Sequence, residues 1–411
     1  MNNFSCTTNI YSKRFPYGCS NTSSCWLPTT KELKKDVFFK GINKSFVMEN
    51  AKSSKDVPED ANIFIFSRKS KLGLPEGREA KECILTEKGF SFLKKFFKSE
   101  DDNTLKLKNN KVDYVHGDFN DGACVCGVVD ADNSEINQIE NIAIVNLKNG
   151  TDVKLIDNVE ELTVSDSKVD TANVKWVIKL NGNSEANKLK AHNLSVQPGN
   201  KVGEINSMFF TCKEDMNNPD KYAEIQTVLA EEGAEVSQSK INSLKTKQLM
   251  LKDSKINNLY AEDCMRFENS VIDNFETYNV REMRGAKINK MYLKGVEPVL
   301  SLHDKTQIEN LTIKDSVAQI FVYPKKDWDK PVDNYIKKIK IESDFYDTPD
   351  QTPRLKIQGN IDVDEVVFAK KPGMVEMTKK ENPSKHIKVI NGYIKYNVPM
   401  QQPPQIEDID V

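Results

Sequence analysis

Apolar residues in this chain return in pairs three positions apart, and the pairs themselves return at a near-constant interval. Ile241, Ile256, Ile272 and Ile288 are spaced by 15, 16 and 16 residues, and Ile308 follows after 20. Three positions after each stands a second apolar residue: Leu244, Leu259, Phe275, Met291 and Leu311. Two further copies lie upstream, Ile136-Asn137-Gln138-Ile139 and Ile205-Asn206-Ser207-Met208. Between copies, short runs alternate apolar and polar, as at Leu249 and Leu251, which is the period of a half-buried strand. Asp253, Asn269 and Gly285 break these runs, and all three tolerate the left-handed backbone of a tight corner.

Two helices cannot form within 16 residues with any stability of their own. Leucine-rich repeats are longer and carry a fuller Leu code. The remaining solution is all-β: a single elongated β-solenoid, a parallel β-helix of about 16 residues per coil, with neighbouring coils roughly 4.8 Å apart. The Asn after each Ile has two readings. It is expected to be a corner residue, accepting φ > 0 or capping a turn. The alternative is a stacked Asn ladder, each amide bonded to the next coil.

The organisation follows from where the pattern holds. Residues 1–60 are expected to be mostly disordered. A small α/β N-terminal cap is expected over 61–111, with a strand in Asn62–Phe66. Its helix lies in "TEKGFSFLKKFFKSE", where Thr86 is the N-cap and Phe90, Leu93 and Phe97 share a face. The solenoid proper spans 112–327, interrupted by an insertion at 212–233 whose Tyr222, Ile225, Val228 and Leu229 suggest a short helix. An irregular continuation covers 328–397, and a Pro/Gln-rich, then acidic, tail of 398–411 reads as disordered.

The segment "YVHGDFNDGACVCGVVDADNSEIN" (114–137), followed by the Ile-Asn-x-Leu coils, resembles the rung pattern of bactofilins, the polymer-forming bacterial β-helix proteins. Val115-His116-Gly117-Asp118-Phe119 carries the resemblance, and elsewhere Asn replaces Gly-Asp. It covers the repeat region only. It implies a β-helix and, with it, self-assembly.

Composition narrows the class. Lys plus Arg is 59 against 61 Asp plus Glu, with the signs interspersed, so no basic footprint for nucleic acid exists. No apolar stretch is long enough to span a membrane. The N-terminus has no apolar core of a Sec signal, which points to the cytoplasm. It is also acid-free before Glu32 and rich in Ser, Thr and Asn, so export by a non-Sec route is the alternative. The eight cysteines are scattered and read as reduced thiols.

Candidate chemistry is sparse. Cys25 in "SSCW" sits in a protease-like dipeptide, but Pro28 follows closely and no His is near in sequence. Cys124 and Cys126 with His116 are three potential soft metal ligands, though zinc sites use wider Cys pairs. A polygalacturonase-like site would need clustered Asp pairs and more than the lone Arg354-Leu355-Lys356. A lyase would use carboxylates such as Asp362 and Asp364 for Ca²⁺. No residue earns a catalytic, cofactor-binding or metal assignment. The expected function is a non-enzymatic β-solenoid scaffold or surface-interaction protein, possibly self-assembling through solenoid edges or faces. The alternatives are an exported bacterial effector or adhesin with a protein or glycan partner, and a polysaccharide lyase or hydrolase.

Overall fold

In the strand Ser239–Lys252 the inward residues are Ser239, Ile241, Leu244, Thr246, Leu249 and Leu251. They lie two apart along each side and three apart wherever two consecutive residues point outward, as Asn242-Ser243 and Lys247-Gln248 do. Lys252-Asp253 is the third such pair, before buried Ser254. Three outward pairs per coil make three corners, so each coil is three-sided. The next coil, Lys255–Glu268, repeats this with one extra residue. Leu249 faces Cys264 and Leu251 faces Phe267, with Met250 opposite Arg266, so Met265 is the addition. That single bulged residue is why the interval rises from 15 to 16.

A computed structural model describes residues 44–67, 69–86, 104–118, 127–295, 298–303, 305–314, 317–322, 334–342, 352–359, 361–378 and 387–397. These belong to one body, Asn43–Val411. Their strands form one continuous parallel sheet wound into about 17 turns of ~17 residues each. The coils stack in register: Ile136, Val153, Val169, Ala186, Val202, Ile225, Ile241, Ile256, Ile272, Ile288, Ile308, Ile336 and Val363 form one unbroken inward column. All are buried, and burial of such apolar area, at about 25 cal/mol per Å², is what holds coil to coil.

One corner carries a second, polar column inside. Asn109, Asn133, Asp166, Gln238, Asp253 and Asn269 take positive φ there, between 45° and 55°. The residue that follows is small, polar and buried: Asn110, Ser134, Ser167, Ser239, Ser254 and Ser270. Each side chain closes its own corner and serves its neighbour. Ser254 Oγ donates to Lys252 O (2.7 Å) and accepts from the Ser239 N–H (3.2 Å), while the Ser254 N–H donates to Ser270 Oγ (3.1 Å). Thr151, Ser184, Asn200 and Thr306 play the same part elsewhere in the stack. The ladder satisfies backbone groups that the corner removes from the sheet. Gly285 occupies the left-handed corner position at φ 63°, where a Cβ would collide with the Asn269 side chain.

Several expectations are corrected. Where residues 1–111 are described, strands join the stack: Ser45–Val47 pairs with Ile63–Phe66, which pairs with Glu79–Thr86. Thr86, the expected N-cap of the helix over 86–100, ends the strand Glu79–Thr86, and residues 87–100 lie outside the described residues. Within 212–233 there is no helix. Residues 213–222 form a looped excursion, and Ala223–Ser237 is a strand with Ile225 and Val228 in the inward columns. Their spacing of three comes from the corner between them, which imitates a helical period. The Asn after Ile does not take φ > 0. Asn257 Nδ2 instead donates to Asn242 Oδ1 (3.0 Å), the amide ladder, and Asn274 Nδ2 bonds Asn258 Oδ1 (3.0 Å) one position on.

Candidate functional site: the open end and the flank of the solenoid

The sequence-derived candidates do not converge. Cys25, Cys124 and Cys126 lie outside the described residues. Among the described residues no group of three or more His, Cys, Asp or Glu could hold a metal ion. His116 is partly buried; its Nε2 is 2.8 Å from Glu82 Oε1 and its ring stacks on Tyr114 at 4.5 Å and 18°. Tyr114 donates its hydroxyl to Glu140 (2.6 Å), and its phenol is pushed up by burial and by that carboxylate. Burial likewise raises the neighbouring Asp113 carboxyl, although Asn137 Nδ2 donates to it. These are cross-coil partners, each committed to another. Arg354 and Lys356 lie on the strand Arg354–Gln358. Asp364 accepts a hydrogen bond from Tyr335, whose phenol that carboxylate lifts to about 12.

Cys83, Cys212 and Cys264 are buried column residues, and loss of solvent raises all three thiols, Cys212 to about 11. They act as small hydrophobes. On one side a shallow hollow of about 430 Å³ opens beside Gly203, lined by Asp152, Lys168, Asp170, Glu185, Lys201 and Glu224. Gly203 is required there because a Cβ would stand 2.6 Å from the Asn187 carbonyl oxygen. Lysines and carboxylates alternate along this column, as in Lys168–Glu185 (3.1 Å) and Lys240–Glu224 (3.6 Å), and exposed pairs of this kind add little stability.

Two features depart from a self-satisfied shaft. The first is the C-terminal end. Gly392–Asn397 pairs with Gly373–Thr378, and among the described residues nothing pairs with its other edge. Its inward positions continue the columns: Ile394 stands over Val375 and Tyr396 over Met377, while Val389 in the same coil stands over Val366. Val366 and Val375 are fully buried, whereas Val389 and Ile394 are only partly buried and Tyr396 is 51% exposed. The apolar core therefore runs out to a face that the described residues leave uncovered.

The second is a ridge at one corner, where Trp176, His192 and Phe209 stack on three successive coils. The ring centroids are 6.1 Å apart (53°) and then 5.9 Å apart (50°). The sequence analysis missed this ridge. The signal was present, since the three aromatic residues are spaced by 16 and 17, the coil interval, at outward positions. Among the described residues no helix is long and apolar enough to cross a membrane. Comparison of the chain with protein families, with curated proteins and with solved structures returned no match.

Proposed function

We propose that the protein is a non-enzymatic β-solenoid scaffold that associates with further copies of itself through its C-terminal end coil. The observation that carries this reading is the uncovered column of Val389, Ile394 and Tyr396 beside an unpaired strand edge. Such an edge templates another strand, and apolar side chains in register with a stack favour a further coil. Residues 398–411 are poorly suited to cover it themselves, because Pro399, Pro403 and Pro404 lack the N–H donors a pairing strand needs. The resemblance of Val115–Phe119 to bactofilin rungs supports the same reading.

The test is light scattering coupled to size exclusion on the full chain over a range of concentrations. Species at multiples of 46.7 kDa are expected, reduced to the single chain by Tyr396→Asp. Tyr393→Asp, on the outward face of the same strand, should leave assembly unchanged. A single chain at every concentration would overturn the reading. So would assembly that appears only after residues 398–411 are deleted, since the tail would then be the native cover.

A further inference from the structure

We infer that the ridge formed by Trp176, His192 and Phe209 is a binding site for a neutral, linear glycan. Trp176 is 53% and Phe209 46% exposed, although large aromatics normally bury most of their area. The backbone does not demand this, because both side chains occupy outward corner positions that Lys247 and Gln248 fill a few coils later. Nor is Gly233, which faces Phe209 in the next coil, forced by geometry. Its φ is outside the left-handed region, and an added Cβ would meet the Phe209 ring at an ordinary 3.7 Å. What a glycine does there is leave the edge of the Phe209 ring uncovered. His192 Nδ1 is buried, its ring packs against both flanking rings, and it has no hydrogen-bond partner among the described residues.

The chemistry around the rings selects the occupant. On one flank the outward column runs Asn173, Lys190, Asn206, and on the other Lys179, Ser195, Thr211. An apolar strip one ring wide between two rows of amide, hydroxyl and ammonium groups matches a chain of sugar rings. Their C–H faces pack on aromatic planes while their hydroxyls reach donors and acceptors on either side. One aromatic ring per coil, about 6 Å apart, offers successive platforms comparable to the length of a pyranose unit.

Carboxylates stand at both ends of the ridge: Glu160 and Glu161 precede Trp176, and Glu231 and Glu232 follow Phe209, Glu232 being paired with Lys247 at 2.7 Å. They disfavour acidic polysaccharides, anionic lipid surfaces and the phosphates of single-stranded nucleic acid, which would otherwise stack on such rings. A protein partner would want a broader patch, since stable interfaces bury about 800 Å² per side.

The experiment is affinity electrophoresis of the full chain through gels containing hydroxyethyl cellulose, dextran, a β-glucan or arabinoxylan, with polygalacturonate and oligo-dT in parallel. Retardation by at least one neutral polysaccharide is expected. Trp176→Ala or Phe209→Ala should weaken it about tenfold, the equivalent of one aromatic contact of roughly 1.4 kcal/mol. Both side chains are exposed, so the fold should persist, and unchanged far-UV circular dichroism checks that. No retardation by any neutral polysaccharide would overturn the inference. So would retardation that survives both substitutions, or binding confined to polygalacturonate or oligo-dT. Assembly through Tyr396 lies at a different place, so either proposal can fail alone.

Discussion

Ser254→Ala is the sharpest probe of what holds the corners. The hydroxyl donates to the Lys252 carbonyl at 2.7 Å and accepts the Ser239 N–H at 3.2 Å, and Ser254 is only 2% exposed. Alanine fits the space but strands both backbone groups away from water. Each unpaired buried group costs about 1–3 kcal/mol, so a loss of about 2–6 kcal/mol is expected. Ser254→Thr is the control. Thr151 and Thr306 already fill this column with the same donor role, so threonine should lie within about 1 kcal/mol of the native protein. A stack of coils can open locally, so a single unfolding midpoint is a poor reporter. Native-state hydrogen exchange read at the Ser239 amide is better, with urea melts alongside. Faster exchange at Ser239 in Ser254→Ala, and native rates in Ser254→Thr, are the expected results. Unchanged Ser239 exchange in the alanine variant, with a stability change under about 0.5 kcal/mol, would refute the ladder.

Two other outcomes follow from the same interior. Ile256 is 1% exposed between Ile241 and Ile272, so Ile256→Asp should melt far below the native protein, the buried unpaired charge costing several kcal/mol; unchanged melting would mean the column is misassigned. Burial raises the Cys83, Cys212 and Cys264 thiols, so little thiolate exists at pH 8 and a maleimide should label none of the three until denaturant is added; peptide mass spectrometry reads this site by site.

The apolar columns were legible because burial forces the same residue class to return at every coil, whatever the sequence between. Ile241, Ile256, Ile272 and Ile288 announce the interval directly. The polar column was harder to see. A Ser two positions before Ile looks like an ordinary turn residue, and only its return as Ser239, Ser254 and Ser270 marks it as interior. The corner also explains the two misreadings. Ile225 and Val228 are three apart for the same reason as Ile241 and Leu244, yet beside Tyr222 and Leu229 they suggested a helix. The Asn after Ile stands at a corner as expected but without φ > 0, because the left-handed turns are made by Asp253 and Asn269, eleven and twelve residues later than Asn242 and Asn257. The aromatic ridge escaped because outward positions carry no burial requirement that would make one residue class return at every coil. The open end could not be read at all, since a column residue looks the same in sequence whether or not another coil covers it.

The claim on which everything else rests is the parallel, in-register stacking of the coils. Lys240 and Lys255 are exposed and directly opposed on adjacent coils, and Val271 stands one coil further on. Cα atoms one strand spacing apart, about 4.8 Å, suit a disulfide, while two spacings exceed its reach of about 7 Å. Oxidation of the full chain carrying Lys240→Cys and Lys255→Cys should therefore give an intramolecular 240–255 crosslink, identified by mass spectrometry, and Lys240→Cys with Val271→Cys should give none. A 240–271 crosslink, or no 240–255 crosslink, would contradict the stack.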